Sequence, residues 1–178
     1  MKHQAQEGNN LQESVGIQKT RNICLEEKKG LDGFIQLIAR DKDGNIKAER
    51  KLHNLITSAG KAGAASRLNG SGAETAFTFL AVGTGTTAAA AGDTTLETEI
   101  VDSGLARAAA TCTRVTTTVA NDTAQLDKTW SVSGTKAVTE CGILNDASVG
   151  VLLGRQVFSA VNVVSGDSLQ IIYKVSCS

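Results

Sequence analysis

The sequence contains no proline, and aromatic residues make up only 3% of its 178 residues. It also lacks a net charge, because 18 basic side chains balance 18 acidic ones. A neutral chain gives no reason to expect nucleic acid or an anionic membrane as a partner. No apolar run approaches the roughly 20 residues that a membrane span requires, and the N-terminus has no apolar stretch of the kind found in signal peptides. We therefore expect a protein made in a cytoplasm.

Residue types that carry chemistry are few and scattered. The cysteines are Cys24, Cys112, Cys141 and Cys177. They form no C-x-x-C pair and have no companion histidine, which disfavours a zinc site. We interpret them as small apolar side chains in or beside strands, and pairing between subunits stays open. The only histidines are His3 and His53, and no G-x-S-x-G elbow supplies a nucleophile, so we expect no enzyme, no cofactor and no metal.

Small and β-branched residues dominate what is present, and Gly, Asn and Asp separate them into short runs. This composition favours short strands joined by tight turns around a thin core. We predict a mainly β fold, an antiparallel β-sandwich of the jelly-roll or immunoglobulin-like kind with one short helix. Residues 31–178 are expected to form this domain. Residues 1–30 lack a period that could bury a face, and they predict a flexible or extended N-terminal arm.

The stretch "DKDGN" predicts the turn of a β-hairpin between a strand at residues 34–40 and a second strand at residues 46–50. Its turn residues are Asp41, Asp43, Gly44 and Asn45. A calcium loop is the alternative, because Asp41, Asp43 and Asn45 have the first ligand spacings of an EF-hand. Ile46 and Leu52 stand where that loop needs a glycine and a bidentate carboxylate. The turn interpretation is therefore favoured.

A short helix is predicted after the hairpin. Thr57 or Ser58 would cap its start, and the "NG" at Asn69 and Gly70 would end it. Gly60 and Gly63 weaken a helix, so we expect its backbone to pack closely against a sheet. Its expected apolar face consists of Leu55, Ala59, Ala62, Ala65 and Leu68.

The pattern of the remaining sequence predicts strands. The segment at 105–121 predicts one long strand or two joined at a bend. In "TAQLDKTWSVS" the pattern places Leu126, Trp130 and Val132 on one side, together with Ala124 and Lys128. In the last strand the shared face consists of Leu169, Ile171, Tyr173, Val175 and Cys177.

The stretch "AVGTGTTAAAAGD" contains a G-x-G but neither a third glycine at the dinucleotide spacing nor the "GK[ST]" of a P-loop. We interpret it as a structural corner rather than a phosphate site. In this hypothesis Gly83, Gly85 and Gly92 supply corner conformations, and Asp93 begins a short helical turn that Leu96 pins to the core.

Charged residues offer no catalytic pair. The carboxylates Glu97, Glu99, Asp102 and Glu140 are scattered, and we expect them on the surface or at an interface. Arg107, Arg114 and Arg155 lie in strand-like segments. We expect them to make pairs between subunits or to be exposed to solvent.

Four segments together resemble a family of tailed-bacteriophage virion proteins. They are "DKDGNIKAERKLHNLITSAG", "FTFLAVGTGTTAAAAGDTTLETEI", "TECGILN" and "LLGRQVFSAVNVVSGDSLQIIYKV". The resemblance covers residues 31–176. Its most specific positions are residues 83–86, Asp93, Leu96, Glu140, Gly142, Phe158 and residues 166–169. The chain departs from the family pattern at Ala89 or Ala90, where proline is frequent, and at "CGIL", which replaces the usual "AGLF".

The resemblance implies a β-sandwich subunit of a phage particle, located in the virion and made in the host cytoplasm. A capsid decoration or cement protein would bind the major capsid protein, form a dimer or trimer, and contact neighbouring subunits through residues 1–30. A tail, head-fibre or baseplate component that binds a host receptor is the alternative. Trp130 and Tyr173 fall on core-facing positions, which leaves few aromatic platforms for sugars and favours decoration.

Overall fold

The structure is a computed structural model that describes residues 30–177. The predicted arm lies outside the described residues except for Gly30. Within them the chain forms nine strands and one helix. The strands are β1 (Leu31–Arg40), β2 (Ile46–Ile56), β3 (Phe79–Gly83), β4 (Ala108–Ala109), β5 (Thr111–Val115), β6 (Thr123–Ser131), β7 (Lys136–Leu144), β8 (Leu152–Val163) and β9 (Ser168–Cys177), and the helix is α1 (Ser58–Asn69).

All strands join one antiparallel sheet in the order β4-β3-β7-β8-β2-β1-β9-β6-β5. The sheet is nearly closed into a barrel, because its two outermost strands, β4 and β5, are separated along the chain only by Ala110. The predicted mainly β, antiparallel class with one short helix is confirmed. The finer division into two sandwich sheets stays a prediction, since the described strands form one continuous sheet.

The β1–β2 hairpin forms with the predicted turn. The Asp41 carboxylate accepts hydrogen bonds from the backbone N–H groups of Asp43 and Asn45, both at 2.9 Å, and the Asp41 carbonyl accepts one from Gly44 at 3.0 Å. Gly44 has a φ of 86°, which favours glycine, whereas Asn45 has no positive φ. The carboxylate oxygens of Asp41 are thus used to build the turn. Strand β2 continues to Ile56, beyond the predicted end at residue 50.

Helix α1 has the predicted ends, but its predicted face is wrong. Thr57 is the N-cap and accepts the Gly60 N–H at 2.9 Å, and Gly70 ends the helix with a φ of 68°. The buried helical residues are Gly60 and Gly63, whereas Leu68 is 90% exposed. A β-carbon at Gly60 would lie 2.6 Å from the Leu153 Cα. The helix therefore meets the sheet through its backbone, as the glycines predicted, rather than through an apolar side-chain stripe.

The core follows the predicted alternation in the last strands. Leu126, Trp130 and Val132 are buried, and so are all but the last of the residues predicted to share a face in β9. Ala124 and Cys177 are exposed, and Lys128 is half-buried. The predicted strand at 105–121 is divided at Ala110, whose N–H bonds to the Thr78 carbonyl at 2.9 Å. This bend sends β4 to one end of the strand order and β5 to the other.

Candidate functional site

A densely bonded polar region is built by residues 83–98 with Glu140 of β7 and Arg155 of β8. We call this region the corner. Strand β3 ends at Gly83, whose register partner on β7 is Glu140. The chain then turns back on itself, because the N–H of Thr84 bonds to the Thr98 carbonyl at 2.8 Å. The corner is therefore a loop that folds over the end of β3 and faces β7.

The Glu140 carboxylate binds this loop through hydrogen bonds to its backbone. Its side chain is fully buried, with 0% exposure. It accepts backbone N–H groups from Gly85 at 3.0 Å, Glu97 at 3.1 Å and Thr98 at 2.8 Å. Buried backbone N–H groups need hydrogen-bond acceptors. The Glu140 carboxylate provides the acceptors that a neighbouring strand would otherwise supply.

Arg155 compensates this buried charge. It is 2% exposed, and its Nε lies 2.7 Å from Glu140 Oε2. Its terminal nitrogens reach Asp93 at 2.9 Å and Glu97 at 3.4 Å. A charge at this depth needs such partners, since an unpaired buried ion costs several kcal/mol. The guanidinium therefore links the loop to β7 and β8.

Two of these carboxylates have pKa values below their ordinary range. The Ala90 N–H and the Arg155 guanidinium lower the pKa of Asp93. The Thr87 hydroxyl and N–H, together with Arg155, lower the pKa of Glu97. Hydrogen bonds to the ionised form cause both shifts. Both groups are therefore anionic at neutral pH and suited to pairing rather than to general acid catalysis.

The predicted corner residues meet in space, but several act differently from the hypothesis. Gly83, Gly85 and Gly92 all lack a positive φ. A β-carbon at Gly85 would lie 2.5 Å from Glu140 Oε1, and one at Gly83 would lie 2.5 Å from the Thr98 carbonyl oxygen. These two glycines thus permit close approach, whereas a β-carbon at Gly92 would meet open space.

Asp93 does not begin a helical turn. The backbone around it forms a turn and bends, and Asp93 Oδ2 accepts the Ala90 N–H at 3.0 Å. Leu96 is buried as predicted and packs in a small cluster with Ala81, Leu144 and Leu152. Asp93 has a further partner in Arg155, which lies 62 residues away in the chain.

The expectation that Glu140 and Arg155 lie at the surface or between subunits is wrong, because they pair inside one chain. One signal could have found them. Glu140 precedes the apolar run "CGIL" and Arg155 follows the apolar run "VLLG". Opposite charges set in two otherwise buried strands indicate a buried pair, since neither ion is tolerated there alone.

A second internal ion pair lies near the corner. Arg107 Nη2 contacts Glu99 Oε2 at 2.5 Å, and Nη1 bonds to the carbonyls of Asp146 at 3.1 Å and Val149 at 2.8 Å. Arg107 therefore fastens the loop after β7 to residue 99. Asp102 forms an exposed pair with Lys136 at 2.7 Å. Arg114 is exposed on β5, in agreement with one of the two expectations for it.

In the described part of the chain, the groups with catalytic potential include one histidine and three cysteines. The His53 side chain is 75% exposed, and its Nδ1 lies 3.6 Å from Asp32 Oδ1. Within residues 30–177 no three side chains of His, Cys, Asp or Glu are grouped so that they could hold a metal ion. Cys141 is buried, whereas Cys112 and Cys177 are exposed, and Cys24 and His3 lie outside the described residues. Burial raises the pKa of the Cys141 thiol, which keeps it protonated.

The one helix of the described residues, α1, has 12 residues and is too short to cross a membrane. No match to this chain was found among protein-family models, curated proteins or solved structures.

Proposed function

We propose that this protein is a structural component of a tailed-bacteriophage particle, and specifically a capsid decoration protein. Its partner is the major capsid protein of the outer shell, to which it binds in many copies. Residues 1–30 contact neighbouring subunits. Many modest contacts repeated over a shell add up to a large stabilisation, so each copy needs no tight site of its own.

One observation carries the proposal. The positions that resemble the virion family are far apart in sequence, yet most of them meet at the corner. Gly83 and Gly85 approach Glu140, and Arg155 bonds to both Glu140 and Asp93. A β-carbon at Gly142 would lie 2.8 Å from Leu96 Cδ1. A motif whose members depend on one another in space specifies a fold. This supports the resemblance and, through it, the virion role.

The sandwich that the resemblance implies fits the way the sheet bends at β2. Most of β2 pairs with β1, whereas its last residues, Leu55 and Ile56, pair with β8. We propose that β1, β9, β6 and β5 form one layer, that β8, β7, β3 and β4 form the other, and that β2 joins them. The main buried cluster draws on both groups of strands.

The alternative function is a tail, head-fibre or baseplate component that binds a host receptor. A sugar receptor calls for exposed aromatic rings. Trp130 is 4% exposed and donates its indole N–H to the Ala106 carbonyl at 2.9 Å, and Tyr173 is 0% exposed. Neither ring is available as a platform, which favours decoration. We further propose that the protein is not an enzyme.

Binding to capsids stripped of accessory proteins tests the proposal. The full chain should bind saturably at many copies per shell, and a chain lacking residues 1–30 should bind more weakly or not at all. Circular dichroism of the shortened chain, which retains all of β1, controls for its folding. If neither protein binds shells, the decoration role is rejected, and binding to tail complexes or host cells would support the alternative.

A further inference from the structure

Strand β5 offers an open sheet edge. It is the last strand in the order and pairs on one side with β6, from Thr111 opposite Asp127 to Val115 opposite Thr123. Its other side has no strand partner within residues 30–177. Four of its five residues are exposed and Val115 is half-buried. Backbone donors and acceptors at such an edge form a template for another strand.

The hydrogen bond of Ala110 indicates which backbone groups of β5 point away from β6. Its N–H bonds to the Thr78 carbonyl, on the β3 side of the chain. Backbone groups of successive residues point to alternate sides of an extended strand. We therefore place the N–H and C=O of Cys112 and Arg114 on the side away from β6. The other outermost strand, β4, has only two residues and offers no comparable edge.

The usual protections of an edge are nearly absent from β5. It contains no proline or lysine, and Arg114 is its one charged residue. The turn that follows is held rigid by the Asp122 carboxylate, which accepts the N–H groups of Thr117, Thr118 and Val119 at 2.8 Å each. A rigid edge loses little conformational entropy when it pairs, which favours association.

We propose that β5 pairs with β5 of a second copy of this chain, antiparallel and around a two-fold axis at Thr113. An antiparallel edge is complementary to itself, so a two-fold axis satisfies both copies with one surface. In this register Thr111 faces Val115 of the other copy and Cys112 faces Arg114, so the two arginines are not opposed. The two Thr113 side chains face each other, which is a favourable cross-strand pair.

Net charge does not oppose pairing with a second copy. The chain carries 18 basic and 18 acidic side chains, so two copies do not repel each other overall at neutral pH. This interface goes beyond the proposed shell binding and does not depend on it. It is measured without capsids, so its failure and the failure of the decoration role are separate results.

Sedimentation velocity of the full chain under reducing conditions tests the pairing with two variants. The wild type and Arg114→Ala, which keeps the backbone N–H, should both sediment as dimers. Arg114→Pro removes that N–H and should weaken dimerisation by at least about tenfold. A monomeric wild type at about 100 μM, or an Arg114→Pro protein that dimerises as tightly as the wild type, would overturn the proposal. Circular dichroism checks that the variants are folded.

Cross-linking provides a second measurement if Arg114→Pro does not fold. In the proposed register the two Cys112 Cα atoms lie roughly 8 Å apart, from the strand spacing and the rise per residue. A protein with Cys24→Ser and Cys177→Ser should give a covalent dimer with a short bismaleimide. Adding Cys112→Ser should abolish that dimer. No covalent dimer from the protein that retains Cys112 would count against the β5 interface.

Discussion

The corner and the β5 edge treat polar groups in opposite ways: the corner buries them with partners, and the edge leaves them exposed. At the corner Glu140 and Arg155 are 0% and 2% exposed, and partners from the same chain satisfy them. At β5 a threonine-rich strand with one charged residue lies exposed. The comparison shows that the polarity of a side chain does not by itself determine whether the residue is buried or exposed. Charges are buried where partners converge, and a strand with a single charge is exposed where the sheet ends.

Removing the buried carboxylate should have the largest effect. Glu140→Ala leaves Arg155 without its closest partner and leaves three loop N–H groups without an acceptor. We expect a loss of about 3–5 kcal/mol in the free energy of unfolding, measured by urea denaturation. Glu49→Ala, on the exposed side of β2, is the matched control and should cause little change. Equal stability of the two variants would show that the buried pair does not hold the corner.

Added volume inside the corner should have the next largest effect. Gly83→Ala places a methyl group 2.5 Å from the Thr98 carbonyl oxygen and should cost about 1–3 kcal/mol. Gly92→Ala adds the same methyl group in open space and should change stability by no more than about 0.5 kcal/mol. Thermal and urea denaturation of both variants measure the contrast. A greater loss for Gly92→Ala would contradict the different roles assigned to the two glycines.

Acid should loosen the corner through Asp93. Its pKa is lowered from the ordinary 3.8 by the Ala90 N–H and by Arg155, so its contribution to stability is present above that value and is lost as the pH falls through the folded-state pKa. The urea midpoint of the wild type should therefore exceed that of Asp93→Asn at neutral pH. The gap should shrink as the pH falls below 3.8. A gap that stays constant down to low pH would rule out this linkage.

Cysteine chemistry should show the smallest effect on stability and distinguish the two regions directly. Cys112→Ser on the exposed edge should change stability by no more than about 0.5 kcal/mol. Alkylation followed by mass spectrometry should modify Cys112 in the folded protein. Burial raises the pKa of Cys141 and shields it, so Cys141 should react only after unfolding. Equal modification of both cysteines in the folded protein would contradict the assigned burial.

Local features of the fold were predictable because their causes lie within a few residues. The turn at 41–45 depends on one aspartate and one glycine, and α1 begins and ends at residues whose side chain or φ stops a helix. The face of α1 was not predictable from its apolar residues, although its two glycines correctly predicted a close approach of the helix backbone to the sheet. It buries Gly60, because Leu153 approaches the helix backbone from a strand that is distant in sequence.

The sequence identified the stretch that forms the corner but not the interactions that stabilise it. Its glycines, Asp93 and Leu96 were identified from one stretch of sequence, and Leu96 is buried as expected. Arg155, which gives Asp93 its role, belongs to β8, and Glu140, which gives Gly85 its role, belongs to β7. No local pattern names these partners. The only indication that Glu140 and Arg155 pair is that they carry opposite charges within otherwise apolar strands.

The sequence by itself determined the strand alternation, the hairpin and the helix ends, because backbone geometry and hydrogen bonds act over short separations. Tertiary structure alone decided that β4 and β5 lie at opposite ends of the sheet order and that Glu140 pairs with Arg155. These outcomes depend on which strands become neighbours. That choice is made by the burial of the whole sheet, to which every strand contributes and which no single segment encodes.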